Sequence, residues 1–300
     1  VSTPMPSSLP WPTEAPAIPL LTARPVLDRI SSLARTHEQD VTLVPGLAVN
    51  EEEIAADPPP ALEQILDELS GIELRGIPVL NLVIEDRTDV GPYTLLGAAT
   101  TFYPLYETPE AAVVLTIDDD GAPGVVYGIG EDLALRLAAP DLIAYLERFA
   151  DALEATLNAL ALRDDESDPK GVARTEAAQE LIDLYLFTAL VGEDEEEDEA
   201  DGTAHAAAEG PAVEDVTAEG ATGKGVAAEG AAVEGVSVPL QDPAASGISG
   251  LPEGALLVAD LRDAPLGAHV DLIDAEVPGD PLDLRVAWRE HGRLLTLHTS

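Results

Sequence analysis

Cysteine is absent from the chain, methionine occurs once, and aromatic side chains make up only 4% of the 300 residues, so any core must be largely aliphatic. Lacking cysteine, the sequence excludes disulfides, thiolate catalysis, and Cys-ligated zinc or iron–sulfur centres. Lysine is nearly missing too: Lys170 and Lys224 stand beside thirteen arginines, and no basic patch is visible. Affinity for phosphates comes from Lys and Arg, so neither nucleic acid nor an anionic membrane surface is expected as a partner. No apolar run reaches the ~18–20 residues of a membrane span. The opening stretch VSTPMPSSLPWPTEAPAIPLL has no charged n-region and is broken by prolines. It does not read as a secretory signal, and a cytoplasmic location is expected. An Ala and Arg bias of this kind often reflects a GC-rich bacterial genome, a background effect and not a site.

The usual chemical signatures are also missing. The histidines are His37, His205, His269, His291 and His298; none pairs with another ligand at i, i+4, and HExxH is absent. There is no GxSxG and no GxxxxGK[ST]. Gly128-Ile129-Gly130 has no third glycine in place and runs into Glu131-Asp132, whose charges repel a pyrophosphate. Asp118-Asp119-Asp120-Gly121 lacks the alternating acids and the closing Glu of a calcium loop and reads as a turn. No catalytic, metal-binding or cofactor-binding residue is assigned, and no cofactor is expected.

What the chain does have is acid. Its net charge is −42. Residues 1–190 carry 33 acidic and 10 basic side chains, residues 191–250 carry 15 and 1, and residues 251–300 carry 9 and 4. The excess is therefore not one tail. Such a field steers a cationic partner inward. It equally serves solubility or high salt, and composition alone leaves that choice open.

Patterning divides the chain into four. Residues 1–25 form a proline-rich arm that Trp11, Ile18, Leu20 and Leu21 can pin to a surface. Residues 26–191 form an α+β domain. In it, the spacing predicts helices over 25–36, 60–70, 140–163 and 171–191, with Asn50 capping a short acidic turn and Gly71 ending the second helix. Strands are expected at Val41–Val44, Val79–Ile84, Tyr93–Leu96, Thr100–Tyr106, Val113–Ile117, Val125–Ile129 and Leu133–Leu137. Residues 192–250 are low-complexity: the run EDEEEDEAD precedes the decapeptides AAEGPAVEDV, TAEGATGKGV and AAEGAAVEGV. One bulky apolar residue per unit cannot bury a core, so a disordered acidic linker is expected. Residues 251–300 form a small β-rich segment, with strands at Leu256–Leu261 and Val270–Ile273 and a hairpin around Glu290-His291-Gly292.

Three stretches carry a family likeness across residues of about 46–155: GLAVNEEEIAADPPPALEQILDELSGIELRG, VVLTIDDDGAPGVVYGIG and LALRLAAPDLIAYLERFADAL. Together they resemble the SMI1/KNR4-like (SUKH) superfamily. The resemblance implies an α+β fold, a mixed or antiparallel sheet covered by helices. It also implies a non-catalytic protein-binding module, many such domains being immunity proteins that occlude a toxin. Combined with the acidity, the expected partner is a protein, in the particular case a basic toxin. The alternatives are a regulatory or scaffold protein binding an endogenous partner, and a hydrolase using carboxylates. The residues that contact a partner are not assigned.

Overall fold

The computed structural model describes residues 11, 15–46, 58–83, 102–118, 120–162, 172–187, 190, 236–272 and 284–299. In chain order come helix α1 (Leu20–Thr36), strand β1 (Val41–Pro45), a 3-10 turn (Pro60–Leu62) running into α2 (Glu63–Leu66), and strands β2 (Leu69–Leu74) and β3 (Ile77–Asn81). Strands β4 (Phe102–Glu107), β5 (Ala112–Ile117), β6 (Pro123–Ile129) and β7 (Ala134–Ala139) follow. Next are α3 (Leu142–Ala161) and α4 (Val172–Ile182), which widens into a π turn at Asp183–Phe187. The remainder supplies α5 (Pro243–Ser246) and strands β8 (Leu257–Asp260), β9 (His269–Asp271), β10 (Leu284–Arg289) and β11 (Leu294–Thr299). The fold is α+β, and the named strands pair antiparallel in three sheets: β1-β2-β3, β4-β5-β6-β7-β9 and β10-β11-β8.

The central five-stranded sheet is buried on both faces because both faces of its strands are apolar. On one side Tyr103, Leu105, Val113, Leu115, Ile117 and Val126 meet α1, α3, α4 and the small sheet β1-β2-β3. On the other, Phe102, Val114, Val125, Tyr127, Ile129, Leu135 and Leu137 meet Ala259, Val286, Trp288, Leu295 and Leu297. Side chains alternate along a strand, which is how one sheet serves two cores. Helices thus cover one face and the β8–β11 sheet covers the other.

Helix α3 forms where the apolar stripe predicts it. The Asp141 side chain caps it by accepting from Ala144 N at 2.8 Å. Leu142, Tyr145, Leu146, Phe149, Leu153, Leu157 and Leu160 are buried, against α1, α4, β6 and β7. Burying each of the larger side chains contributes about 1.5–3 kcal/mol.

Several expectations are corrected. Gly71 does not cap a helix: the helix stops at Leu66, and Ser70-Gly71 lie within β2. There a β-carbon on Gly71 would stand 3.0 Å from the Leu80 carbonyl oxygen, so glycine serves close strand pairing. The turn to β3 is Arg75-Gly76, both at positive φ (53° and 83°), the geometry that matches strand twist in a two-residue hairpin. Pro78 sits inside β3, which is an edge strand, so its missing N–H is tolerated.

Helix α1 begins at Leu20, five residues ahead of Pro25, so the arm ends earlier than expected. The carbonyl that Pro25 cannot bond belongs to Leu21, a residue 86% exposed. Trp11 and Ile18 pack on the core, Trp11 edge-on to Tyr103 at 6.4 Å, whereas Leu21 does not.

The C-terminal strands are not a separate unit. Strand β9 pairs with β7, and β8, β10 and β11 close the second core. Hydrogen bonding to them also starts before Leu251. Val238 N donates to His269 O at 2.8 Å, and Gln241 and Val258 exchange bonds at 2.9 Å. Residues 237–241 therefore touch one sheet at β9 and the other at β8, joining the two layers at that corner. Residues 192–235, the strand expected at Tyr93–Leu96 and the turn capped by Asn50 lie outside the described residues.

Candidate protein-binding surface

Many of the arginines in the described residues pair with the protein's own carboxylates. Arg24 pairs with Glu68 at 2.9 Å, and Arg29 bridges Asp151 (2.6 Å) and Glu154 (2.5 Å), tying α1 to α2 and α3. Arg136 pairs with Asp132, and Arg262 with Asp260 at 2.5 Å and Glu290 at 3.5 Å. Asp40, buried after α1, takes Arg75 at 2.5 Å and Arg174 at 3.4 Å, while Thr175 accepts from Arg75 Nε at 3.1 Å. Arg148 donates to the Ala138 carbonyl, and burial holds its pKa below the usual arginine value.

A different arrangement occupies the outer side of α4. Val172, Glu176, Glu180 and Leu184 recur every four residues and are exposed. In the π turn, Leu184 (58% exposed) and Tyr185 (41%) face water while Leu186 and Phe187 are buried. Phe187 stacks on Tyr106 of β4 with ring centroids 4.2 Å apart. Asp183, half-buried beside them, accepts two bonds from Gln179 Nε2, at 2.8 and 3.0 Å. Burial pushes its carboxyl above the ordinary range, and the nearby Glu110 charge adds to that. Burial and the same two carboxylates push the Tyr106 phenol up to about 12. Tyr145, on α3 and close to Tyr106, is fully buried, and its hydroxyl has no hydrogen-bond partner. Among the described residues, no cation lies within ion-pair reach of Glu110, Glu176, Glu180 or Asp183.

The residues that the sequence singled out go elsewhere. Asp118 is engaged by the backbone of the β10–β11 tip, and Asp120 accepts from Ala122 N at 3.0 Å. His37 ends α1, His269 lies in β9, and His298 Nε2 is 3.0 Å from Thr296 Oγ1 with its pKa lowered by burial. His205 lies outside the described residues. Gly128 is where Leu190 crosses β6: a β-carbon there would be 2.0 Å from the Leu190 carbonyl oxygen. Among the described residues no three His, Asp or Glu side chains are grouped to hold a metal ion, and no helix is long and apolar enough to cross a membrane.

Comparison with protein-family models, with curated proteins and with solved structures finds no significant match.

Proposed function

We propose that this is a non-catalytic module that grips a cationic protein partner. The observation that carries the reading is the distribution of charge. Arginines of the described core are engaged by the protein's own carboxylates, many of them between elements, while carboxylates without cations remain at the surface of a chain of net charge −42. A surface of that kind accelerates encounter with a basic protein and disfavours acidic ones. On the SUKH likeness, the particular form is a bacterial immunity protein, acting in the cytoplasm by stoichiometric occlusion of a basic toxin. The test is co-purification with toxins encoded nearby, at low and at high salt. Capture that weakens with salt supports the reading; failure to capture any cationic protein, or binding indifferent to salt, overturns it. A regulatory or scaffold role keeps the same surface with an endogenous partner, and gene neighbourhood separates the two.

One observation favours a second reading, a carboxylate hydrolase: burial raises the pKa of the Asp183 carboxyl group. It stands half-open to water beside Gln179 rather than in a dry cleft, which fits an acid catalyst less well than a docking contact.

A further inference from the structure

We propose that the outward side of α4, together with its π turn and Glu110, receives a basic segment of a protein partner that carries arginines between aliphatic side chains. This rests on the binding reading above and assigns it a place. Four observations converge on one surface. Val172 (54% exposed) and Leu184 (58%) bracket Glu176 and Glu180 along the helix, so apolar ends flank an acidic middle. Tyr185 extends the apolar end. Asp183 and Glu110 add two carboxylates that repel each other across a partly dehydrated corner, with only the neutral Gln179 amide as a described partner of Asp183. That corner contrasts with the α1–α3 contact, where Arg29 neutralises Asp151 and Glu154.

An entering guanidinium would supply what the corner lacks. It relieves the repulsion of Asp183 and Glu110, and its plane can lie against the partly exposed Tyr106 ring, aromatic faces being favourable for arginine. Leu184 and Tyr185 then pack on the aliphatic neighbours of that arginine. An acidic partner adds to the repulsion, and a purely polar one leaves Leu184 and Tyr185 uncovered.

The experiment uses the full chain and a synthetic helical peptide of arginine and leucine, followed by backbone amide NMR at low salt, with a serine-for-leucine peptide of equal charge as control. The expected shifts cluster at residues 176–187 and 108–111. Affinity is expected to fall on the order of tenfold in Glu176→Gln/Glu180→Gln and in Asp183→Asn, as for loss of partly desolvated charge contacts. Exposed Glu38→Gln/Glu147→Gln should leave it unchanged. Thermal melts of each variant separate lost binding from lost folding. Peptide binding centred elsewhere, for instance on the acidic run at residues 193–201, overturns this assignment and leaves the binding reading standing. Equal affinity for the serine peptide also overturns it. No binding to any face overturns both.

Discussion

The backbone amide of His291 donates to both carboxylate oxygens of Asp118, at 3.0 and 2.9 Å, while the His291 carbonyl accepts from Val125 N at 2.9 Å. One residue at the tip of the β10–β11 hairpin is thus clamped to both strands of the β5–β6 hairpin. The tip holds Glu290, His291 and Gly292 at positive φ, 52°, 57° and 82°, and for the two non-glycine residues that conformation costs roughly 1–2 kcal/mol each. Thr116, Tyr127 and Gly124 surround it. The Tyr127 hydroxyl donates to Gly292 O at 2.7 Å, and a β-carbon on Gly124 would stand 2.2 Å from the His291 carbonyl oxygen.

Asp118→Ala removes an ionised acceptor that is mostly shielded from water. It is expected to lower stability by about 2 kcal/mol, the range for hydrogen bonds to charged groups. The urea midpoint should fall with an unchanged slope. Asp120→Ala, which loses one part-buried turn bond at an exposed residue, should cost about 1 kcal/mol.

Gly128→Ala places a methyl group against the Leu190 carbonyl, where backbone leaves no room. Destabilisation of about 1–3 kcal/mol is expected from the overpacking. Hydrogen exchange should locate the change: amides near Phe187 and Leu190 lose protection before those of β10 and β11.

Asp40→Ala leaves the guanidinium groups of Arg75 and Arg174 without their shared carboxylate, in a site where all three side chains are largely buried. A loss of about 3 kcal/mol is expected, as when one member of a buried ion pair is removed. Chemical denaturation measures it. Glu68→Ala, in an exposed pair with Arg24, should barely register.

Asp183 carries a pH signature of known sign. Burial first, then the Glu110 charge, raises its folded-state pKa above the unfolded one, while Gln179 opposes. Its contribution to stability is therefore fully present below the unfolded pKa and is lost as pH rises through the folded value. Asp183→Asn should raise the melting temperature at neutral pH, and the gain should disappear as pH falls below the ordinary carboxylate range. Unchanged melting at neutral pH would show that the corner is fully hydrated. A gain in stability with a loss of peptide affinity is the usual mark of a residue kept for binding.

Local signals account for what was legible. The apolar stripe, Pro140 and Asp141 announce α3; the alternation around DDDGAPG announces β5 and β6; and Glu290-His291-Gly292 announces the last hairpin. Strand β2 was hidden because LEQILDELSG reads equally well as a helix with a glycine stop, and only pairing with β1 and β3 decides otherwise. The docking of β9 on β7 depends on contacts between residues more than a hundred positions apart, beyond any local pattern. The outer side of α4 was unreadable for another reason. Its acids look like every other acid in the chain, and only the partner of each carboxylate, or the want of one, sets them apart.

Two-sided burial of the β4–β7 strands has a consequence for biosynthesis. Their second face stays bare until residues 257–297 have left the ribosome, long after α3 has been made. In that interval the nascent chain displays Phe102, Val114, Tyr127 and Leu137 as a sticky plane. A net charge of −42 opposes the approach of two such planes by mutual repulsion.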